Sequence, residues 1–311
     1  KYKFDEKAIF QERSENYEDF KEEIKDKNGI RDLVDNSSGI QRLNKEMEES
    51  LNAWWEEAQK FIITLPGKNN IPKFRSDYIE KLKLKLVPIG VLDEFQAAGI
   101  FVNWWKVVQY DFKTIVATGW SPALIPEDYI KETFFNSELK ELDVIETKIA
   151  EQDSELNELL EEVEMDEEDS DDEETKKTVS SVKKYLKSEI DDLEEIKDSK
   201  EARQEKQKFE TLLKDIKDKE KQLKELKTTL KEKQKELGEK IDDKRQNFEE
   251  NEAQDLILRK LKNAIKEEML RYLNVEKKNI ISEIEKLWDK YKVPLQKIME
   301  DRNIATEGLD I

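Results

Sequence analysis

Carboxylates and lysines are the groups through which this sequence could perform acid–base or nucleophilic chemistry. Its 311 residues include 75 Asp and Glu and 56 Lys and Arg, but neither His nor Cys. Without histidine the chain lacks the usual general base near neutral pH and any Ser-His-Asp arrangement. Without cysteine it lacks disulfides, a thiolate nucleophile and Cys-ligated zinc. No carboxylate pair stands out, because runs of charge are usually solvated helix faces, so we predict no catalytic residue and no metal site.

A short segment, Gly67-Lys68-Asn69-Asn70, shares some features with a phosphate-binding loop. It lacks the earlier glycine and the Ser or Thr after the lysine, and no hydrophobic strand precedes it, so we predict no cofactor site there. A cluster of basic residues follows and could contact DNA phosphates without reading sequence; the alternative is an ordinary solvated face. The candidate phosphate contacts are Lys73, Arg75, Lys81, Lys83 and Lys85.

Two pairs of adjacent tryptophans, Trp54-Trp55 and Trp104-Trp105, lie in weakly similar contexts, each four residues before a glutamine. Neighbouring side chains on a helix point about 100° apart, so we expect at most one tryptophan of each pair at the centre of a core. Ordinary helix packing is one interpretation of these pairs. The other is that a tryptophan anchors a partner protein, because Trp is enriched in binding hot spots. We take Trp104 and Trp105 as candidate partner contacts.

The elements that carry these residues are predicted to be helices. The chain has 42% charged and 36% hydrophobic residues, with 8 Gly, 6 Pro and a net charge of -19. Such low apolar content with few helix breakers favours long helices that bury narrow apolar seams. No run of eighteen apolar residues occurs, so we expect no membrane span and a cytoplasmic location. The predicted fold class is all-α, an aromatic-rich helical domain followed by long antiparallel coiled-coil hairpins.

Residues 1–136 are predicted to form the aromatic-rich helical domain. They hold five of the six Trp and five of the six Pro. Apolar residues recur at helical spacing over Ile40–Ile63, and Ser76 is a suitable N-cap for a helix that runs to Leu86. Polar and apolar residues alternate over Lys81–Leu86, which is the period of a strand, so this segment stays open between helix and strand.

Residues 137–250 are predicted to form a charged coiled-coil hairpin. Apolar residues follow heptad spacing over 139–163 and again over 209–237. Between these runs, eleven of the fourteen residues in Glu161–Glu174 are acidic. Such a block repels itself, so we expect it at a solvated hairpin tip. The seam nearly vanishes over 197–208, which indicates a stutter, bend or loop there.

Residues 251–311 are predicted to form a C-terminal amphipathic helix for packing or subunit docking. The apolar face over 256–291 is wider than a two-helix seam, which indicates contact with two or more helices. We expect 252–292 to fold back on the 210–240 run. The candidate partner-binding residues on this helix are Leu273, Ile280, Ile284, Leu287, Trp288 and Tyr291.

Two stretches of the sequence resemble one known family. The first is Leu92–Trp105, continued by Tyr110–Ile115 and Gly119-Trp120, and the second is Leu287–Leu295 with Glu300–Asn303. The first resembles the region after the catalytic domain in long-form DNA methyltransferase (M) subunits of type I restriction–modification systems, within the N-6 DNA methylase family. The second is similar to the C-terminal helix of those subunits. Both matches consist of ordered aromatic and charged positions rather than catalytic residues.

The resemblance implies a parent protein that transfers a methyl group from S-adenosylmethionine to adenine N6 in DNA, with a specificity subunit and a restriction subunit as partners. That chemistry requires a Gly-rich cofactor loop and an Asn-Pro-Pro motif that holds a flipped-out base. This chain contains neither Gly-x-Gly nor Asn-Pro-Pro, and it starts without Met at Lys1, so we expect the catalytic domain to precede it. The predicted function is a non-catalytic assembly and positioning region. It would bind no cofactor itself, dock on the specificity subunit and meet DNA through the complex.

Two other classes of protein remain open on the sequence alone. One is a standalone coiled-coil scaffold, in which case the family resemblance is fortuitous. The other is an acidic mimic of DNA that occupies a nucleic-acid-binding cleft, and the acidic block Glu161–Glu174 motivates it. Neither class requires catalytic residues in this chain.

Overall fold

A computed structural model describes residues 9–14, 17–68, 70–163, 178–195, 200–291, 293 and 295–307. Over these residues the chain forms ten α-helices and one short two-stranded antiparallel hairpin. The predicted all-α class is therefore confirmed. The hairpin is an addition that the helical patterns do not foresee.

The elements follow one another along the chain with short connections in the first part and much longer helices later. In chain order they are β1 (Phe10–Ser14), β2 (Tyr17–Phe20), α1 (Lys27–Asp35), α2 (Ser38–Ile63), α3 (Ile71–Leu86), α4 (Glu94–Thr118), α5 (Glu127–Phe134), α6 (Asn136–Glu161), α7 (Val179–Glu195), α8 (Lys200–Gln246), α9 (Glu250–Tyr291) and α10 (Leu295–Glu307).

The chain divides into two compact units. Unit 1 comprises the described residues of Lys1–Ile125 and Glu249–Ile311, and unit 2 comprises those of Pro126–Phe248. Unit 2 is therefore inserted in sequence between α4 and α9 of unit 1. The boundaries predicted from the sequence, after residues 136 and 250, differ because they set the last helix apart as a segment of its own.

The helices at the start of unit 1 follow local sequence signals. α2 covers the predicted helix over Ile40–Ile63 and buries its apolar stripe. α3 begins at Ile71 with Pro72 in its first turn, where the missing backbone N–H would have had no partner in any case. The predicted N-cap at Ser76 is therefore wrong. The segment Lys81–Leu86 is helical, because buried residues recur every four positions along α3.

Both ends of α4 carry strong helix-boundary signals. At its start the Asp93 carboxylate accepts from the Gln96 backbone N–H at 2.8 Å, and the Gln96 side-chain oxygen accepts from the Asp93 N–H at 3.0 Å. This capping box satisfies two N–H groups that the helix leaves without partners. At its end Gly119 has φ 76, a conformation that favours glycine. The most apolar stretch of the sequence is thus held as one helix.

The core of unit 1 is an aromatic cluster from α2, α3 and α4. Trp54 lies edge-on to Trp104 with ring centroids 5.9 Å apart, and Phe74 lies 5.1 Å from Phe112. The indole N–H of Trp54 donates to the Tyr78 carbonyl at 2.9 Å, so its buried polar atom is satisfied. Aromatic pairs of this kind stabilise a core by about 0.5–1.5 kcal/mol each beyond the area that they bury.

α9 closes this core although it comes from the far end of the sequence. It packs along α4, α1 and α2. The indole N–H of Trp104 donates to the Leu261 carbonyl at 2.9 Å, and Lys260 forms an ion pair with Asp111 at 2.7 Å. The wide apolar face of α9 therefore contacts several helices, as predicted. Those helices belong to unit 1, whereas we expected the 210–240 run.

Unit 2 is an elongated arm in which α6 and α7 both run antiparallel to α8. α8 has 47 residues, which corresponds to about 70 Å at 1.5 Å per residue. The heptad runs predicted from the sequence lie on α6 and α8. The ion pairs that show the direction of α6 are Glu138–Lys240 at 2.9 Å and Asp153–Lys227 at 3.2 Å. Those that show the direction of α7 are Lys183–Glu220 at 2.5 Å and Glu194–Lys206.

The reversal of the arm does not coincide with the predicted tip at Glu161–Glu174. Since α6 and α7 run in the same direction, the chain reverses between α7 and α8, whose connecting residues 196–199 lie outside the described part. Residues 164–174 of the predicted tip lie outside it as well. The expected pairing of 139–163 with the 180s is wrong, because α6 packs mainly along α8.

Lysines that interrupt the apolar seam of α8 are paired with residues of α6. Lys219 donates to the Gln152 side-chain oxygen at 3.1 Å and forms an ion pair with Glu155. Lys233 donates to Glu141 at 2.6 Å. These pairs fix the register of the two helices without a continuous row of leucines.

The two ends of unit 2 lie together. The rings of Phe134 and Phe248 meet edge-on with centroids 5.7 Å apart. The Lys244 ammonium lies 4.3 Å from the first ring and 5.0 Å from the second. A cation over two aromatic faces adds an electrostatic attraction to the apolar contact.

The contact between Gly99 of α4 and Tyr272 of α9 gives a test of the packing of unit 1. A Cβ at Gly99 would lie 2.4 Å from the Tyr272 hydroxyl oxygen. Gly99→Ala should therefore cost about 1–3 kcal/mol of unfolding free energy through this overlap, offset in part by the about 0.5–1 kcal/mol that Ala contributes within a helix. Tyr272→Phe should reduce the cost of the overlap. Urea unfolding followed by tryptophan fluorescence measures this, since all six Trp lie in unit 1.

A glycine of the arm supplies the control for that experiment. Gly238 lies within α8, and a Cβ there would meet nothing within 4 Å. Gly238→Ala should leave the tryptophan-detected transition of unit 1 unchanged while it favours the helix by about 0.5–1 kcal/mol. Equal effects of the two substitutions on tryptophan fluorescence would contradict the packing of α4 on α9.

The α6–α8 contact of unit 2 should respond to acid through Glu138. Hydrogen bonds from Lys240 and Ser137 lower the pKa of Glu138 from 4.5 to about 2. Because the folded-state pKa is below the unfolded one, the stabilisation is present above about pH 4.5 and is lost as the pH falls toward 2. We expect Lys240→Met to return the pKa toward 4.5, as measured by NMR titration of the Glu138 carboxyl carbon. Lys235→Met, on the same helix, should leave it unchanged.

Candidate interaction surface

The end of α9 is fastened to the start of the chain along one side. The Trp288 ring meets Phe20 of β2 edge-on with centroids 5.0 Å apart. Asp289 pairs with Lys27 of α1 at 2.7 Å. Farther back, Glu285 pairs with Arg31 of α1 at 2.9 Å and Lys277 pairs with Asp35 at 2.8 Å. The orientation of this helix end is therefore set by contacts within unit 1.

The other side of the same helix end exposes apolar residues. Leu287 is 43% exposed and Tyr291 is 50% exposed, and they lie four residues apart on one face. Ile280, one heptad before Leu287, is half-buried. We define Leu287 and Tyr291 as the α9 end surface. Ile298, Met299 and Ile304 of α10 are exposed as well.

The predicted partner-binding residues of α9 therefore fall into two groups. Leu273 and Ile284 are buried within unit 1, and Trp288 is half-buried against Phe20. Leu287 and Tyr291 are accessible to another molecule. Sequence periodicity places all of these residues on one broad face, and only the packing of α1 and β2 separates them.

Trp104 and Trp105 are core residues of unit 1. Trp104 is fully buried and Trp105 is 8% exposed. Trp54 and Trp55 are buried as well, so the expectation that at most one of each pair is central is wrong. Helices pack on more than one side of α2 and of α4, so side chains that point about 100° apart are both buried. Helix packing is the interpretation that this arrangement supports for Trp104 and Trp105.

Among the described residues, some of the candidate phosphate contacts on α3 have a carboxylate partner and others do not. Glu57 of α2 pairs with Lys81 at 3.2 Å and with Lys85 at 3.4 Å. The hydrogen bonds from Lys81 and Lys85 lower the pKa of Glu57. The hydrogen bond to Glu57 raises the pKa of Lys81. Lys83 pairs with Glu80 of its own helix at 3.0 Å.

The remaining two basic residues, Lys73 and Arg75, are exposed near the start of α3. Three of the five predicted phosphate contacts thus have a carboxylate partner in the chain, which competes with a phosphate for the same cation. Of the nearby loop, Asn69 lies outside the described residues, and the Gly67 N–H donates to the Val116 carbonyl at 3.1 Å. That N–H is therefore already in use within unit 1.

The described residues hold no group of three or more Asp or Glu arranged to bind a metal ion. The described helices also include none that is long and apolar enough to cross a membrane. Burial raises the pKa of Tyr78, which donates to the Glu57 carbonyl at 3.0 Å and so serves the contact between α2 and α3. The chemistry that this unit presents is apolar contact combined with charge pairing.

Sequence reasoning missed the part that β2 and α1 play in forming the surface. Phe20 supplies the ring that covers Trp288, and its own strand is only four residues long. The pattern that could have indicated it is the pair of aromatics Phe10 and Phe20, which are directly opposite in the hairpin.

No protein-family model, no curated protein and no solved structure matches this chain. The candidate surface therefore stands on its own geometry.

Neighbouring residues at the end of α9 should differ in their effect on stability. Trp288→Ala removes the ring contact with Phe20 and should lower the free energy of unfolding by about 1–3 kcal/mol. Leu287→Ala should cost less, at most about 1 kcal/mol, because 43% of the residue is exposed to solvent. Urea unfolding followed by far-UV circular dichroism compares the two. Equal losses would show that Leu287 is packed within the chain.

Proposed function

We propose that this chain is the non-catalytic assembly and positioning region of a type I restriction–modification N6-adenine DNA methyltransferase subunit. It docks on helices of the specificity subunit through the α9 end surface. The restriction subunit is a further partner of the assembled complex, and DNA is met through that complex. S-adenosylmethionine serves the catalytic domain of such a methyltransferase, so this region has no role in binding it.

One observation supports this proposal above the others. The stretch Leu287–Leu295 that resembles the C-terminal helix of methyltransferase subunits begins where α9 changes from buried to exposed. Leu287 and Tyr291 lie in that stretch and remain accessible. Resemblance and exposure thus select the same helix end.

The energetics of the α9 end surface suit a helix-to-helix interface. Full burial of one Leu or Tyr side chain contributes about 1.5–3 kcal/mol, so a few anchors suffice for specific docking. α1 holds the helix end through its pairs with Asp289 and Glu285, and Phe20 of β2 packs on Trp288. A fixed anchor loses less conformational entropy on binding than a mobile one.

The direct test is co-purification with the specificity subunit encoded beside the gene. The wild-type chain should form a stoichiometric complex. Leu287→Asp with Tyr291→Asp should weaken it at least about 30-fold, because a carboxylate would be buried without a partner. The double variant should keep its helix content, since both positions are exposed.

A matched control distinguishes loss of the surface from a general effect of added charge. Leu84 of α3 is 75% exposed and lies on another helix. Leu84→Asp should leave the complex unchanged. A folded chain that forms no complex would contradict the proposal and favour a standalone coiled-coil scaffold.

A further inference from the structure

The arm carries a groove between α6 and α8, beside the start of α7. Its volume is about 670 Å³. Leu156 of α6, Val179 of α7 and Leu223 of α8 line it and give it an apolar floor. Leu156 and Leu223 also belong to the buried apolar cluster in which all three helices meet. The groove is thus an open continuation of a packed core.

α7 shows what this continuation can accommodate. Farther along the arm, α7 packs against α8, and its Val182 and Leu186 are fully buried. They lie in the same cluster as Ile216 of α8 and Leu160 of α6. A third helix in this position therefore completes the core of the arm.

Beyond the start of α7 the seam between α6 and α8 is only half-covered. Over 136–155 of α6 and 224–236 of α8, no residue is buried. The seam residues Ile149, Leu226 and Leu230 are half-buried there. The arm thus has a fully covered seam where a third helix is present and a half-exposed seam where it is not.

The side of the groove on α8 is basic in a chain of net charge -19. Lys224, Lys227 and Lys231 line it with spacing that places them on one helix face. Its carboxylates, Asp153 and Glu220, are each already paired with a lysine. In the described part of the chain, Lys224 and Lys231 have no carboxylate within the 4.0 Å of an ion pair. The groove therefore offers two cations beside apolar side chains.

We propose that this groove binds an acidic amphipathic helix of a partner protein, laid in line with α7 between α6 and α8. Apolar residues at helical spacing would cover the half-buried seam residues Ile149, Leu226 and Leu230, and flanking Asp or Glu would meet Lys224 and Lys231. A helix of about 14 residues spans roughly 20 Å, enough to cover much of the half-exposed seam. A nucleic-acid backbone would leave the apolar floor unused. This site lies in unit 2 and is independent of the docking proposed for unit 1.

The binding test uses the full chain and two synthetic, fluorescently labelled peptides held helical by a hydrocarbon staple. Both carry Leu at core-facing positions; one has Glu and the other Lys at the flanking positions. Fluorescence anisotropy should show micromolar binding of the Glu peptide and binding of the Lys peptide at least about tenfold weaker. Absence of binding by the Glu peptide, or equal binding by both, would overturn the proposal.

A pair of charge reversals tests whether the groove itself is responsible. Lys224→Glu with Lys231→Glu leaves the Lys227–Asp153 pair intact and should weaken the Glu peptide at least about tenfold. Lys214→Glu with Lys221→Glu has the same seven-residue spacing on α8 but lies outside the groove, and should change binding by less than about twofold. Equal weakening by both pairs would reduce the effect to general attraction and overturn the proposal.

Two further experiments keep the result interpretable. If the charge reversals lower the helix content, Lys224→Ala with Lys231→Ala replaces them, with Lys214→Ala and Lys221→Ala as the control. A photo-crosslinking residue at Thr228, which lines the groove, identifies the occupant. Cross-linking to the Glu peptide supports the proposal. Cross-linking to a second copy, or to the chain's own residues in place of added peptide, overturns it.

Discussion

The hydrogen bond from the Trp104 indole to the Leu261 carbonyl joins α4 to a helix 157 residues farther along the chain. Because this donor is buried among aromatic rings, loss of its acceptor would cost about 1–3 kcal/mol. The bond therefore sets how α9 lies on α4. The Lys260–Asp111 pair and the close approach of Tyr272 to Gly99 then follow in the same antiparallel register. Unit 1 has no complete core until this late helix arrives.

α9 changes from a core helix to a surface helix along its 42 residues. Ile257, Leu261 and Ile265 are fully buried, whereas Leu287 and Tyr291 are exposed. The first part of α9 is packed in the core, and α1 holds it near its end. The end of the helix therefore has a fixed position, which suits a positioning role. The core of the arm is covered in a different way. Its α6–α8 seam is completed by α7 over one part and left half-exposed over the rest.

Periodicity predicted the helices well, because apolar spacing reports local structure and α2 and the heptads of α6 and α8 carry it clearly. It did not predict the partners of α9, since the width of an apolar face gives the number of neighbours and not their identity. The acidic block Glu161–Glu174 is the strongest break in the sequence, yet the arm reverses later, where the seam near 197–208 fades. The separation of Leu287 from Trp288 depends on Phe20, whose strand is too short to leave a pattern.

The claim that α9 completes unit 1 independently of the arm can be measured in one shortened variant. Residues 135–247 would be replaced by a short Gly-Ser linker between Phe134 and Phe248, whose rings lie 5.7 Å apart. The six tryptophans all lie outside the deleted segment and report on unit 1. We expect the variant to keep the near-UV circular dichroism and cooperative urea unfolding of the full chain's tryptophans. A variant that is helical but has lost the tryptophan dichroism would contradict the account.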